Sequence, residues 1–199
     1  AFVNRGDAFF AAVNQGLSLK DQLYQGVNAL MLDVHSYQGN VTLCHGKCSG
    51  IPGLYPRQDF LKAMEEVTNY LQAKPEAFVT LFLEDYTTNE EMKAALGKNQ
   101  KARDFLFNPY TADVMNRGWP TINDLILSGK RLMILSDRGD KKDLGIGFAK
   151  DLTVENFWST GLVGNELECK KRWDEIPLDR TDPGFHRLFV MNHFRDIPL

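Results

Sequence analysis

Asp33 and His35 close an apolar run, Ala29-Leu30-Met31-Leu32-Asp33-Val34-His35, and His45 follows in Leu43-Cys44-His45-Gly46-Lys47-Cys48. A carboxylate beside imidazoles can hold, donate and accept protons near neutral pH, which is the chemistry of general acid and base catalysis. Similar groups recur wherever an apolar run stops. Glu84 ends Phe78-Val79-Thr80-Leu81-Phe82-Leu83, Arg138 follows Arg131-Leu132-Met133-Ile134-Leu135, and Asn192-His193 follow Leu188-Phe189-Val190-Met191. The period of two in a strand places Met31, Asp33 and His35 on one face, and Thr80, Phe82 and Glu84 on one face of another strand. A carboxylate on a covered face needs a partner or a ligand, so Asp33 and His45 are read as the centre of a site, with Glu84 and His35 beside them. His35 has a second reading, as a structural plug satisfied by Asp33. Asp85 faces the other way and reads as a capping or solvated acid. The planar fork of Arg138 suits an anionic group or a surface salt bridge, and Asn192 and His193 are hydrogen-bonding candidates. Asp33 and Glu84 are also the minimal pair that could hold calcium or magnesium; otherwise no cofactor is required.

The elements that must position these groups are legible by period and punctuation. Ser18 before Leu19-Lys20-Asp21-Gln22-Leu23 reads as an N-cap, and Gly26 as a stop. A strand over 29–35, turn chemistry in Ser36-Tyr37-Gln38-Gly39-Asn40 and an extended piece over 41–45 follow. After a Pro- and Gly-bearing loop over 49–56, Phe60, Leu61, Met64, Val67 and Leu71 recur at helical spacing. Lys74-Pro75 ends that helix, and Ala77 to Leu83 is apolar on both faces, as in a strand covered on two sides. A helical stretch from Asn89 to Phe107, a short helix opened by Trp119-Pro120-Thr121 and running through Ile126, and a strand over 131–135 continue the alternation. Residues 139–186 read mostly as loop with a strand near 155–158, and Leu188 to Met191 as a last buried strand. Alternating strands and helices with polar strand ends predict a parallel α/β fold with its site at the C-terminal face; a doubly wound sheet fits the periodicity almost as well, and a (β/α) barrel is the preferred reading. No Gly-rich nucleotide pattern follows any strand.

A chain of 199 residues with 43% apolar residues is long enough for one core and short for two domains, so residues 1–199 are read as a single domain. Lys plus Arg number 23 against 26 Asp plus Glu, a net charge of -3, which gives no electrostatic argument for nucleic acid or an anionic bilayer. Apolar runs are strand-sized, far below the roughly 20 residues of a membrane-spanning helix. Cys44 and Cys48 bracket a short loop and are expected to close on each other, which favours an oxidising compartment. A zinc reading of Cys44, His45 and Cys48 competes poorly, since no second ligand pair exists. Asn40-Val41-Thr42 is a glycosylation sequon and agrees with a secreted protein.

These residues carry a resemblance. Asn14-Gln15 through Ser18, Gln22-Leu23, Gly26-Val27, Leu30-Met31-Leu32-Asp33 and Leu43-Cys44-His45 resemble the X domain of phosphatidylinositol-specific phospholipase C, in its single-domain plant and microbial type. Tyr70 to Pro75 with Glu84-Asp85-Tyr86, Trp119-Pro120-Thr121 with Arg131-Leu132, and Val190-Met191-Asn192-His193-Phe194 continue it. The resemblance implies a distorted TIM barrel and a reaction in which two histidines flank the scissile phosphodiester, one as base and one as acid. His45 matches the second, the acid. The first belongs to a His-Asn pair expected immediately ahead of Ala1, and the family's last strand is expected after Leu199. The chain is therefore expected to be the core of a longer or processed protein, without its first and last strand segments. The animal, calcium-dependent branch has glutamate at the Met31 position; calcium-free bacterial enzymes have arginine at the His35 position and lysine at the Glu84 position.

The function implied is cleavage of a phospholipid diester, phosphoinositide-like, by attack of a neighbouring hydroxyl, with peripheral membrane contact and no nucleic acid partner. The alternatives are a metal-dependent enzyme resembling sphingomyelinase D or glycerophosphodiesterase, with the ion on Asp33 and Glu84, and a non-catalytic lipid- or partner-binding barrel.

Overall fold

The computed structural model describes residues 16–45, 48–49, 57–157, 159–162, 170–192 and 194–196. Ser18 caps the first helix, α1 (Leu19–Tyr24), its side chain accepting from the Asp21 amide, and Gly26 at φ 92° lets the chain leave in a conformation side chains rarely adopt. Strand β1 (Ala29–Tyr37) turns through Gln38 and Gly39 into β2 (Asn40–Leu43), and β3 (Gln58–Asp59) leads directly into α2 (Phe60–Ala73). Asp59 caps α2 by accepting from the Leu61 and Lys62 amides. The helix buries Phe60, Ala63, Met64, Val67 and Leu71, the stripe its spacing predicts, while Leu61 lies at the edge of it.

Strand β4 (Val79–Tyr86) returns parallel to β1. The predicted helix from Asn89 to Phe107 is two helices, α3 (Asn89–Gly97) and α4 (Gln100–Phe105). Asn99 breaks it, because its side chain accepts from the Ala102 amide and so starts a new helix. After the short α5 (Val114–Arg117), α6 (Ile122–Leu127) opens on a capping box between Thr121 and Asp124. Strand β5 (Leu132–Ser136) pairs with β4, and β6 (Gly147–Phe148), α7 (Ala149–Leu152), β7 (Thr153–Glu155), β8 (Ser159–Leu162), β9 (Leu188–Val190) and β10 (Phe194–Asp196) complete the described elements. The region read as loop thus holds several elements, each of two to four residues, too short to carry a period.

A six-stranded sheet of order β3-β2-β1-β4-β5-β6 forms the centre, parallel from β1 to β6 with β2 and β3 antiparallel at one edge. One face, with Leu30, Leu32, Val34, Leu81 and Ile134, packs on α1 and α2; Phe82, Met133 and Leu135 pack the other face against Phe107, Leu125 and Phe185. A closed barrel is not found among the described residues. Two parallel pairs, β7 with β9 and β8 with β10, stand apart from the main sheet. Among the described residues the sheet ends at β6, a strand of two residues. The strand over 188–191, expected to be buried, is partly exposed: Phe189 and Met191 face outward, and among the described residues β9 pairs with β7 alone. The expectations about strands beyond both ends concern residues outside those described.

Candidate active site

Parallel pairing of β1 and β4 sets Asp33 opposite Glu84 and His35 opposite Tyr86. Period-two alternation gives all four the same face, at the ends where the strands become polar. Asp33 is only 2% exposed. Burial pushes its carboxyl above the ordinary carboxylate range, Glu84 adds to the rise, and the imidazoles of His45 and His35 draw it back. The Tyr86 hydroxyl donates to Glu84 Oε1, and this bond, with burial, raises the phenol to about 12. Tyr86 therefore remains a donor throughout the neutral range and orients Glu84. Its ring stacks on His35, centroids 4.4 Å apart and planes 11° from parallel.

His45 stands exposed just past the end of β2. Antiparallel pairing of Val34 with Leu43 brings that end beside Asp33, and the Cys44 amide donates to the Asp33 carbonyl at 3.3 Å. The expected Cys44–Cys48 disulfide is present, with the Cα atoms 5.5 Å apart. Arg57 fastens the far side of the loop, donating to the Cys48 carbonyl at 2.8 Å and to the Tyr37 hydroxyl at 2.9 Å. An exposed imidazole one residue past Cys44, between these two anchors, is open to a substrate and close enough to the buried Asp33 carboxylate to act on it electrostatically. Such an arrangement can deliver a proton to a leaving group.

Beneath this face lies a polar cluster that the sequence reading missed. Asp85 is not solvated: it pairs with Lys141 Nζ at 3.1 Å, both side chains wholly buried, and accepts from Thr87 and Ser136. Lys141 also donates to the Thr87 carbonyl. Asp137 accepts from the Asp85 amide, so the ends of β4 and β5 are tied together. Burial raises the Asp137 carboxyl, while the Asp85 amide and Arg172 oppose the rise. Arg172 in turn bonds Glu155 at 2.8 Å. No periodic signal marked Arg172 or Lys141, because both lie in the irregular region; Tyr86 was legible in principle, two residues beyond Glu84 on the same face.

The remaining predicted residues are placed as follows. Arg138 is half-exposed and lies 3.5 Å from Asp140. Asn192 is buried, its amide group donating to Glu155 at 2.9 Å and to the Asn156 carbonyl, which ties the end of β9 to β7. His193 and Cys169 lie outside the described residues. As a hard-cation site, the Asp33 and Glu84 pair is joined by no third His, Cys, Asp or Glu among the described residues. Two carboxylates fall short of the six to eight oxygens calcium takes.

The sequence model of the PI-PLC X family, described as PI-PLC X 1, matches residues 1–199. A PI-PLC X domain-containing protein of Arabidopsis thaliana is 28% identical over 191 residues, 94% of this chain and 43% of its own length. Two proteins of Arthroderma benhamiae are each 28% identical: an uncharacterized secreted protein, over 63% of this chain and 28% of its length, and PI-PLC X domain-containing protein 1, over 62% and 40%. The chain thus spans less than half the length of these relatives. No solved structure matches it. With the whole chain matched, and with the Asp33, His45 and Glu84 segments inside the match, the chain belongs to the PI-PLC X-domain family.

Proposed function

We propose that this protein cleaves a phospholipid phosphodiester, phosphoinositide-like, by general acid and base catalysis within a distorted barrel completed by residues beyond those described. The observation that carries this reading is His45, exposed on a loop pinned to Asp33 on one side and Arg57 on the other. In the reaction a hydroxyl neighbouring the phosphate attacks phosphorus, and the bond to the lipid alcohol breaks. His45 gives its proton to that leaving oxygen, and Asp33 supports the charged imidazole. The base is the family's first histidine, for which the resemblance gives a place ahead of Ala1. His35 is a poor substitute, since its Nε2 is buried and its ring is held flat against Tyr86. Glu84, oriented by Tyr86, orders the groups around the attacking hydroxyl.

The Cys44–Cys48 disulfide, the exposed sequon at Asn40 and the similarity to an uncharacterized secreted protein of Arthroderma benhamiae support an extracellular site of action. The test is His45→Ala in the full-length protein. Activity on a phosphoinositide diester should fall by about 10² to 10⁴, the usual contribution of a positioned proton donor. A substrate whose leaving group needs no proton should recover most of the loss. Wild-type turnover of the lipid by the variant would refute the acid assignment.

A further inference from the structure

A ring nitrogen of His35 and the Sγ atoms of Cys44 and Cys48 lie within 4.8 Å of one another. These residues come from three places, the end of β1, the end of β2 and the far side of the loop, so their convergence is tertiary. His35 Nε2 is buried and has no hydrogen-bond partner among the described residues. An unpaired imidazole nitrogen away from water is costly, and nothing in the proposed reaction uses it. Neutral imidazole with two thiolates is a donor set for a borderline or soft d10 cation, and the spacing Cys44-x-x-x-Cys48 falls within that of structural zinc sites.

We propose that Cys44, Cys48 and His35 form a redox-gated site for such a cation, with zinc(II) its representative: the disulfide form excludes the ion and the dithiol form binds it. The proposal is independent of the catalytic reading. Opening the site consumes one dithiol reductant. The Sγ–Sγ bond breaks, two electrons and two protons pass to Cys44 and Cys48, and the reductant closes to its own disulfide. Binding zinc then releases those two protons from the thiols, leaving two thiolates and the neutral imidazole on the ion, with water in the fourth position.

The site does not depend on the disulfide for its shape. Cys44 is held through its amide on the Asp33 carbonyl, and Cys48 through its carbonyl on Arg57. Stacking on Tyr86 fixes the plane of His35. Both sulfurs are therefore retained near the imidazole when the covalent link opens. His45 lies between the two cysteines in sequence, so two of the three ligands flank the residue that the loop presents.

The experiment uses the full-length protein, reduced anaerobically with a water-soluble phosphine, freed of excess reductant and titrated with zinc(II) against a competing chromophoric chelator. The reduced protein should take up one equivalent, and the oxidised protein none. Cobalt(II) in place of zinc should give thiolate-to-metal charge-transfer bands. His35→Ala should weaken zinc binding roughly tenfold or more, since one of three protein ligands is lost. If that variant does not fold, His35→Gln, of similar size, makes the same comparison. Cys44→Ser should abolish uptake. Equal uptake by oxidised and reduced protein, or undiminished affinity in a folded His35 variant, would overturn the proposal.

Discussion

Tyr86 shows how much a single side chain organises at this site. It donates to Glu84, stacks on His35 and stands two register positions beyond the Asp33 and Glu84 pair. Because it is 54% exposed, its hydrogen bond contributes modestly. Tyr86→Phe should lower kcat about fivefold, the factor that about 1 kcal/mol of lost orientation corresponds to, with little change in KM or thermal stability. An unchanged kcat would remove Tyr86 from the positioning role. At this scale Asp33, His35 and Glu84 were legible because each ends an apolar run and period two fixes its face. The neutralising partner of Asp85 was not legible, since Lys141 is 56 residues away in sequence within an irregular stretch.

The candidate site lies at strand ends, and the Asp85 and Lys141 pair ties them from below. A buried ion pair contributes little net stability against a well-packed apolar pair, but removing one partner leaves an uncompensated charge. Lys141→Met should therefore destabilise the fold by about 3 to 5 kcal/mol, and adding Asp85→Leu should recover most of the loss. Urea midpoints of the single and double variants check this; a single variant as stable as wild type would mean that Asp85 finds another partner. Among the elements, α1, α2, β1, β4 and β5 could be read from capping residues and period. The division of α3 from α4 turned on one side-chain bond from Asn99, and the short elements after Ser136 are defined by tertiary pairing that no local pattern encodes.

Across the whole molecule, a central parallel sheet covered on both faces was legible from its apolar strands, whereas closure into a barrel, preferred from the strand and helix alternation and from the resemblance, is not found among the described residues. Tyr110 links two distant segments, accepting from the Phe148 amide at 2.7 Å and donating to Asp151 at 3.2 Å. Burial, assisted by Asp151, lifts its phenol to about 12 from 10.0. The folded state thus holds this proton more tightly than the unfolded chain does. Its contribution to stability is complete below the unfolded value and is lost as pH rises through the folded one, that is, between about pH 10 and about pH 12. Tyr110→Phe should accordingly lose less stability than wild type between about pH 9 and about pH 11 in urea titrations; parallel losses would show that the phenol is not the titrating group. The central claim is the cleavage itself, and phosphorus NMR of phosphatidylinositol vesicles incubated with the full-length protein tests it most directly. Attack by the neighbouring hydroxyl predicts the phosphorus signal of a cyclic inositol phosphate, which should grow about 10² to 10⁴ times more slowly with His45→Ala. Release of phosphatidic acid, or an unchanged lipid signal with folded full-length protein, would contradict the account.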